Sequence, residues 1–265
     1  MTDRFLAALA WGPMILDAAM GTRLVARGLD LAHDDPALWN LSHPESVAEI
    51  HARDVAAGSD AVLTNTFGAN RPWLARSGRA DQVEAINRRA VALARRAAGP
   101  DHFVIGSIGP TAADDPDACR EQAEALIEAG VDALLLETQT LKSAASGLRQ
   151  LRDRGGPPVL VSLYAWPRSA DPVLALLDLG ASALGGNCQP SEALLRLVDQ
   201  LHARTSAPLL VQPNAGPPGV PPASPESFAG FVPRLLDAGV RLLGGCCGTT
   251  EAHVATLRPA CSHQT

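Results

Sequence analysis

ALLLETQTLKSAASGLRQLRDRGGPPVLVSL, residues 133–163, contains two aliphatic runs, Ala133–Glu137 and Val159–Leu163, on either side of one stretch of helical period, Leu141–Asp153. Neither run alternates apolar with polar residues along its length. Continuous apolar runs of this kind belong to strands covered on both faces, and a helix between two of them makes a parallel βαβ unit. The same unit recurs outward in both directions. Further runs are Met14–Asp17, Ala61–Thr64, Phe103–Ser107, Ala183–Asn187, Leu209–Gln212 and Arg241–Gly244. Helical patterns fall at Ser46–Ala57, Ala80–Ala98, Pro116–Ala129, Ser191–Arg204, Pro225–Ala238 and Thr250–Leu257. Several close on Ala-Gly (Ala57-Gly58, Ala129-Gly130, Ala238-Gly239), where glycine supplies a left-handed cap. Eight strands in 265 residues predict a single (β/α)8 TIM barrel, an α/β fold, over 1–265, with a lead-in at 1–12 and a tail at 259–265. A doubly wound open sheet is the alternative that strand count leaves standing. The segment after the fifth run, Tyr164–Leu179, is short and carries Pro167 and Pro172, so any helix there is small.

Composition narrows the function. Lys and Arg number 22 against 28 Asp and Glu, a net charge of -6 that speaks against nucleic acid as a partner. Hydrophobic residues make up 46% and charged residues 19%, enough for a large aliphatic core. No apolar run approaches the ~20 residues that span a bilayer, so no membrane partner is expected. The run Phe5–Leu16 resembles a signal core, but Asp3 and the Gly12-Pro13 break favour a lead-in helix feeding a strand. Five cysteines, two of them adjacent, make a poor disulfide framework and point to a reducing cytoplasm.

Residues that core packing does not explain fall at the ends of seven of the eight runs: Asp17, Thr64-Asn65-Thr66, Gly109-Pro110-Thr111, Glu137, Asn187-Cys188, Pro213-Asn214-Ala215-Gly216 and Gly244-Gly245-Cys246-Cys247-Gly248. In a parallel barrel these ends open on one face, where active sites lie. Cys188, Cys246 and Cys247 read equally, on spacing alone, as small buried hydrophobes or as three thiolates around one Zn²⁺ with an open position. The flanking Gly244, Gly245 and Gly248 favour the metal by letting adjacent side chains turn to one ion. Cys119 and Cys261 stand apart from this set.

A three-thiolate zinc is a weak source of hydroxide but an effective binder and deprotonator of an incoming thiol. Asp17 and Glu137 then suit an ammonium group better than a glycosidase pair, because only ten aromatic residues exist to stack sugars. Thiol and ammonium together describe a thiol amino acid. A phosphate-gripping lyase or aldolase would want a lysine at the mouth, and the only lysine, Lys142, lies on a helix. A non-enzymatic reading is a zinc-binding subunit that has lost donor access and serves as a partner or sensor. The seven histidines show no ligand spacing, and the Arg88-Arg89 and Arg95-Arg96 pairs read as a solvated helix face. Among the tryptophans, Trp166 alone lies in a loop able to meet a second substrate.

ILDAAMGT (15–22), TNTFGAN (64–70), IGP (108–110), LLLET (134–138), GGNC (185–188), PNAG (213–216) and GGCCGTT (244–250) resemble the homocysteine S-methyltransferase family along essentially the whole chain. The PNAG and TNTFGAN forms are most similar to the homocysteine-binding barrel of cobalamin-dependent methionine synthase. The resemblance implies a (β/α)8 barrel, zinc ligands at Cys188, Cys246 and Cys247, and homocysteine-binding acids at Asp17 and Glu137. It also implies substrate contacts at Thr64 and Asn187. The implied reaction is in-line methyl transfer to the homocysteine thiol, giving methionine, with Zn2+ as cofactor. Its partners would be homocysteine and a methyl donor, either a small molecule or a separate corrinoid protein; another thiol or a selenol is an alternative acceptor. Departures fall on the donor side: Ala18 replaces the usual glycine, the stretch from Ser162 is short, and Gly68 stands where betaine-using members carry a tyrosine.

Overall fold

The computed structural model describes residues 4–111, 117–151, 155–216 and 220–262. Each of the eight aliphatic runs overlaps a strand: β1 Met14–Ile15, β2 Ala61–Leu63, β3 Phe103–Ile108, β4 Ala133–Gln139, β5 Val159–Leu163, β6 Ala181–Asn187, β7 Leu209–Gln212 and β8 Val240–Leu243. All ladders are parallel, in the order β1-β8-β7-β6-β5-β4-β3-β2, which is the circular order of a (β/α)8 barrel. The open-sheet alternative is thereby excluded, because consecutive strands are neighbours throughout. Carboxylates help close the seam between β1 and β2. The Asp60 amide donates to Ile15 O at 2.7 Å, the Ile15 amide to Asp60 Oδ2 at 2.7 Å, and the Leu63 amide to Asp17 Oδ2 at 2.8 Å.

The core has two main layers. Leu16, Leu63, Ile105, Leu135, Leu160, Ala183, Leu210 and Leu242 fill the barrel interior, and Phe5 and Leu9 plug its lower end. The helix Arg4–Trp11 is therefore a lid on the barrel floor, with Phe5 edge-on to Phe103 at 5.3 Å. A larger aliphatic layer joins the outer strand faces to the helices. Side chains alternate along a strand, so the next inward positions above the apolar plug are two residues further on. There the chain turns polar: Ser107, Glu137, Ser162, Asn187 and Gln212 follow Ile105, Leu135, Leu160, Gly185 and Leu210. Gly185 is needed where β6 crosses β7, since a Cβ there would lie 1.7 Å from Leu210 O.

The expected glycine caps are present, with Gly58, Gly130 and Gly239 at φ +106°, +91° and +80°. The helix after β5 is short, Asp171–Asp178. Two expectations need correction. The span Pro225–Ala238 is two helices, Pro225–Ala229 and Val232–Asp237, because Pro233 opens a new first turn after Gly230. Within the expected tail, residues 259–262 are helical: helix Glu251–Ser262 runs through Pro259. The expected helical ends at Pro116 and Asp153, and residues 263–265, lie outside the described residues.

His51, on helix Pro44–Ala56, is fully buried, and neither ring nitrogen has a hydrogen-bond partner among the described residues. Burial first, and the Arg23 charge second, lower its pKa from 6.5 to about 3. The unfolded chain therefore binds the extra proton below pH 6.5. This contribution to stability is complete above about pH 6.5 and is lost toward pH 3, at about 1.4 kcal/mol per pH unit. His51→Leu is expected to flatten that slope in urea titrations at pH 7 and pH 5; an unchanged slope would assign the acid sensitivity to another group.

Candidate metal and substrate site

Three of these inward positions, Ser107, Glu137 and Gln212, line a cavity of about 310 Å³ at the upper mouth. Its wall includes Asp17, Thr64, Glu137, Cys188, Cys246 and Cys247. The three thiol sulfurs lie within 4.8 Å of one another, with Cys188 and Cys247 Sγ 3.7 Å apart. A tetrahedral ion at about 2.3 Å from each sulfur requires sulfurs roughly 3.8 Å apart, so the donor set fits a soft, four-coordinate metal with one position left open. Neither Cys119 nor Cys261 joins the cluster; the first is buried beneath helices and the second lies on the final helix.

The backbone brings these thiols together by unlike means. Cys188 follows directly on β6 at φ +59°, a left-handed conformation that L side chains seldom take. Its amide donates to Gln212 O at 3.1 Å, so the turn is anchored to β7. Among the three glycines beside the cysteine pair, only Gly248 uses its freedom, at φ +80°. Gly244 and Gly245 serve by close approach: added Cβ atoms would stand 2.7 Å from Leu16 Cβ and 2.4 Å from Thr249 Oγ1.

Hydrogen bonds from Cys246 and Cys247, with help from the Asn214 side chain, push the Cys188 thiol down. The same sharing, chiefly with Cys188, pushes Cys246 up. The cluster thus favours holding a thiolate, the form that ligates metal. Asp17 and Glu137 are both raised, mainly by burial. The Asp54 carboxylate raises Asp17 further, while a 2.5 Å hydrogen bond from Ser107 opposes the shift at Glu137. Two carboxylates with raised pKa values on one cavity are relieved by an incoming cation.

A family model described as homocysteine S-methyltransferase matches residues 14–261. The chain belongs to that family. It is 33% identical to the methionine synthase of Mycobacterium tuberculosis over 96% of its own length, yet it spans only 25% of that relative. The homocysteine S-methyltransferase of Escherichia coli is 29% identical, with 92% of this chain and 94% of the relative covered. Among solved structures, the metallated form of the E. coli homocysteine methyltransferase MmuM superposes with a TM-score of 0.81. Its identity is 29%, over 97% of this chain and 98% of that one.

Within this family member, the expected residues do not all face the cavity. Asn187 lies behind the wall, fully buried, accepting from Ser162 Oγ at 2.6 Å and donating to Thr138 Oγ1 at 2.8 Å and Cys246 Sγ at 3.9 Å. It supports a thiol. Thr64 reaches the wall, but its hydroxyl is paired with Thr66 Oγ1 at 2.6 Å and takes the Ser107 amide at 3.1 Å. Trp166 packs on the outer core, while Phe67 is the aromatic on the cavity wall. At Gly68, a Cβ would meet Asp35 Oδ2 at 2.6 Å, so any side chain there would have to displace the Asp35 carboxylate. Sequence reading passed over Ser107, Thr138 and Gln212. Ser107 and Gln212 were legible as inward positions two residues beyond Ile105 and Leu210; Thr138, at φ +57°, carries no such signal.

Proposed function

We propose that this chain transfers a methyl group from an activated donor to the thiol of homocysteine, giving methionine, with zinc held by Cys188, Cys246 and Cys247. The observation that carries the reading is a single cavity whose wall presents three clustered thiols together with two carboxylates, Asp17 buried and Glu137 half-buried. Zinc bound there supplies acidification of an incoming thiol at neutral pH. The chain supplies the rest. Asp17 and Glu137 take the substrate ammonium, which offsets the cost of burying both acids. Asp17 is held on the Leu63 amide and Glu137 on Ser107, so neither must reorganise when substrate arrives. The open mouth leaves the sulfur accessible to a donor approaching from outside, and holding both reactants in line provides much of the rate.

Glu137→Gln keeps the shape and removes the charge. It is expected to raise KM for homocysteine roughly tenfold while kcat changes less, because the ammonium contact is made in ground and transition states alike.

The reading is tested on protein purified under reducing conditions. Elemental analysis is expected to find about one zinc per chain. Mass spectrometry is expected to find methionine when homocysteine is supplied with one of a panel of sulfonium, quaternary ammonium and methyl-corrinoid donors. Zinc and homocysteine binding without turnover on any donor would make the chain a binding subunit for a separate donor protein. No zinc after reconstitution would overturn the reading.

A further inference from the structure

Two segments from opposite ends of the chain meet at the site: Asp17–Thr22 after β1 brings one of its two acids, and Gly244–Thr250 after β8 brings two of its three thiols. One of the three hydrogen bonds that join them runs through a buried hydroxyl. Thr249 is fully buried, its Oγ1 accepting the Ala19 amide at 3.1 Å and donating to Cys246 O at 2.7 Å. The Gly245 amide donates to Asp17 O at 3.0 Å, and the Gly248 amide to Thr22 Oγ1 at 3.2 Å. Gly245 is bare because Thr249 sits against it, 2.4 Å from where a Cβ would be. The carbonyl that Thr249 holds belongs to Cys246 itself, and the amide it holds lies two residues from Asp17.

Packing does not require this hydroxyl, since valine has nearly the same shape. Its two hydrogen bonds run one to each segment, so a shift of Cys246 toward an ion is passed to the backbone beside Asp17. We infer that Thr249 is a positioning residue that couples filling of the thiol cluster to docking of the amino-acid end of the substrate. The inference rests on the function proposed above. Coupling of this kind is reciprocal and usually worth about fivefold or more in affinity.

The test uses L-norleucine, which has the amino-acid end and chain length of methionine but no sulfur to touch a metal. In the native chain, zinc loading is expected to tighten norleucine binding about fivefold by calorimetry. Thr249→Val is expected to keep its zinc and lose that ratio, and Thr249→Ser, which retains the hydroxyl, to restore it. The native chain gives a second readout, should the valine variant fail to fold: zinc loading is expected to slow hydrogen exchange at the Ala19 amide. An unchanged ratio in Thr249→Val, or Ala19 exchange indifferent to zinc, would overturn the coupling while leaving the methyltransferase reading intact. Norleucine binding to neither form would overturn both.

Discussion

Cys246→Ser is expected to lose its metal and to lower methyl transfer to homocysteine by about three orders of magnitude or more, the several kcal/mol that thiol activation by an ion contributes. Serine is a hard, protonated donor and a poor substitute for a soft thiolate. Cys246 is the thiol with the most support from its surroundings. Its amide is held by Pro213 O at 2.8 Å, its carbonyl by Thr249, and its sulfur by Asn187. The substitution therefore leaves a preformed turn with one ligand missing, and folding is expected to survive. Metal content, melting temperature and kcat/KM together check this; full zinc content with normal turnover in the variant would show that Cys246 is no ligand. Cys119→Ser, remote from the cluster, serves as the control.

Asp54→Ala is expected to cost about 3–5 kcal/mol of stability, because the buried Arg23 charge loses its hydrogen-bonded carboxylate and keeps only Glu251 Oε2, at 3.6 Å. Arg23 is 4% exposed and lies against Asp54 through two hydrogen bonds of 2.7 and 2.6 Å. Its Nη2 and Nε also donate to Ala18 O at 2.9 Å and Ala19 O at 3.0 Å, the carbonyls directly after Asp17. Urea unfolding measures the loss. The double variant Arg23→Met/Asp54→Leu separates two roles. Replacing the pair with apolar side chains is expected to recover much of the stability, since buried pairs gain little net energy. It is not expected to recover KM for homocysteine, because the carbonyls beside Asp17 lose their clamp. Recovery of both would reduce Arg23 to a purely structural role.

Much of the barrel was legible because its signals are local. Aliphatic runs of four to five residues, helical periods and Ala-Gly caps each act over a few residues, and all eight runs overlap strands. The helices after β1, Met20–Val25 and Trp39–Ser42, were not legible. They are short, and they are held by long-range contacts such as Arg23 to Asp54 and Asn40 to the Asn65 carbonyl. The break after Gly230, by contrast, has a local cause in Pro233, which the apolar period across Pro225–Ala238 masks.

The chain of residues also determined by itself which chemistry was available: three cysteines, two acids and a set of glycines at strand ends, which parallel strands must present on one face. Only the tertiary structure decided which of these meet. Cys188 and Cys246 are 58 positions apart, and their convergence depends on β6, β7 and β8 standing side by side and on a left-handed turn at Cys188. The fold also placed Asn187 behind the thiols and brought Phe67 and Ser107 to the wall. Strand parity sets which residues point inward, but the height at which a strand stops sets whether a side chain lines the cavity or supports it. That height follows from register between strands, a long-range quantity that no single segment encodes.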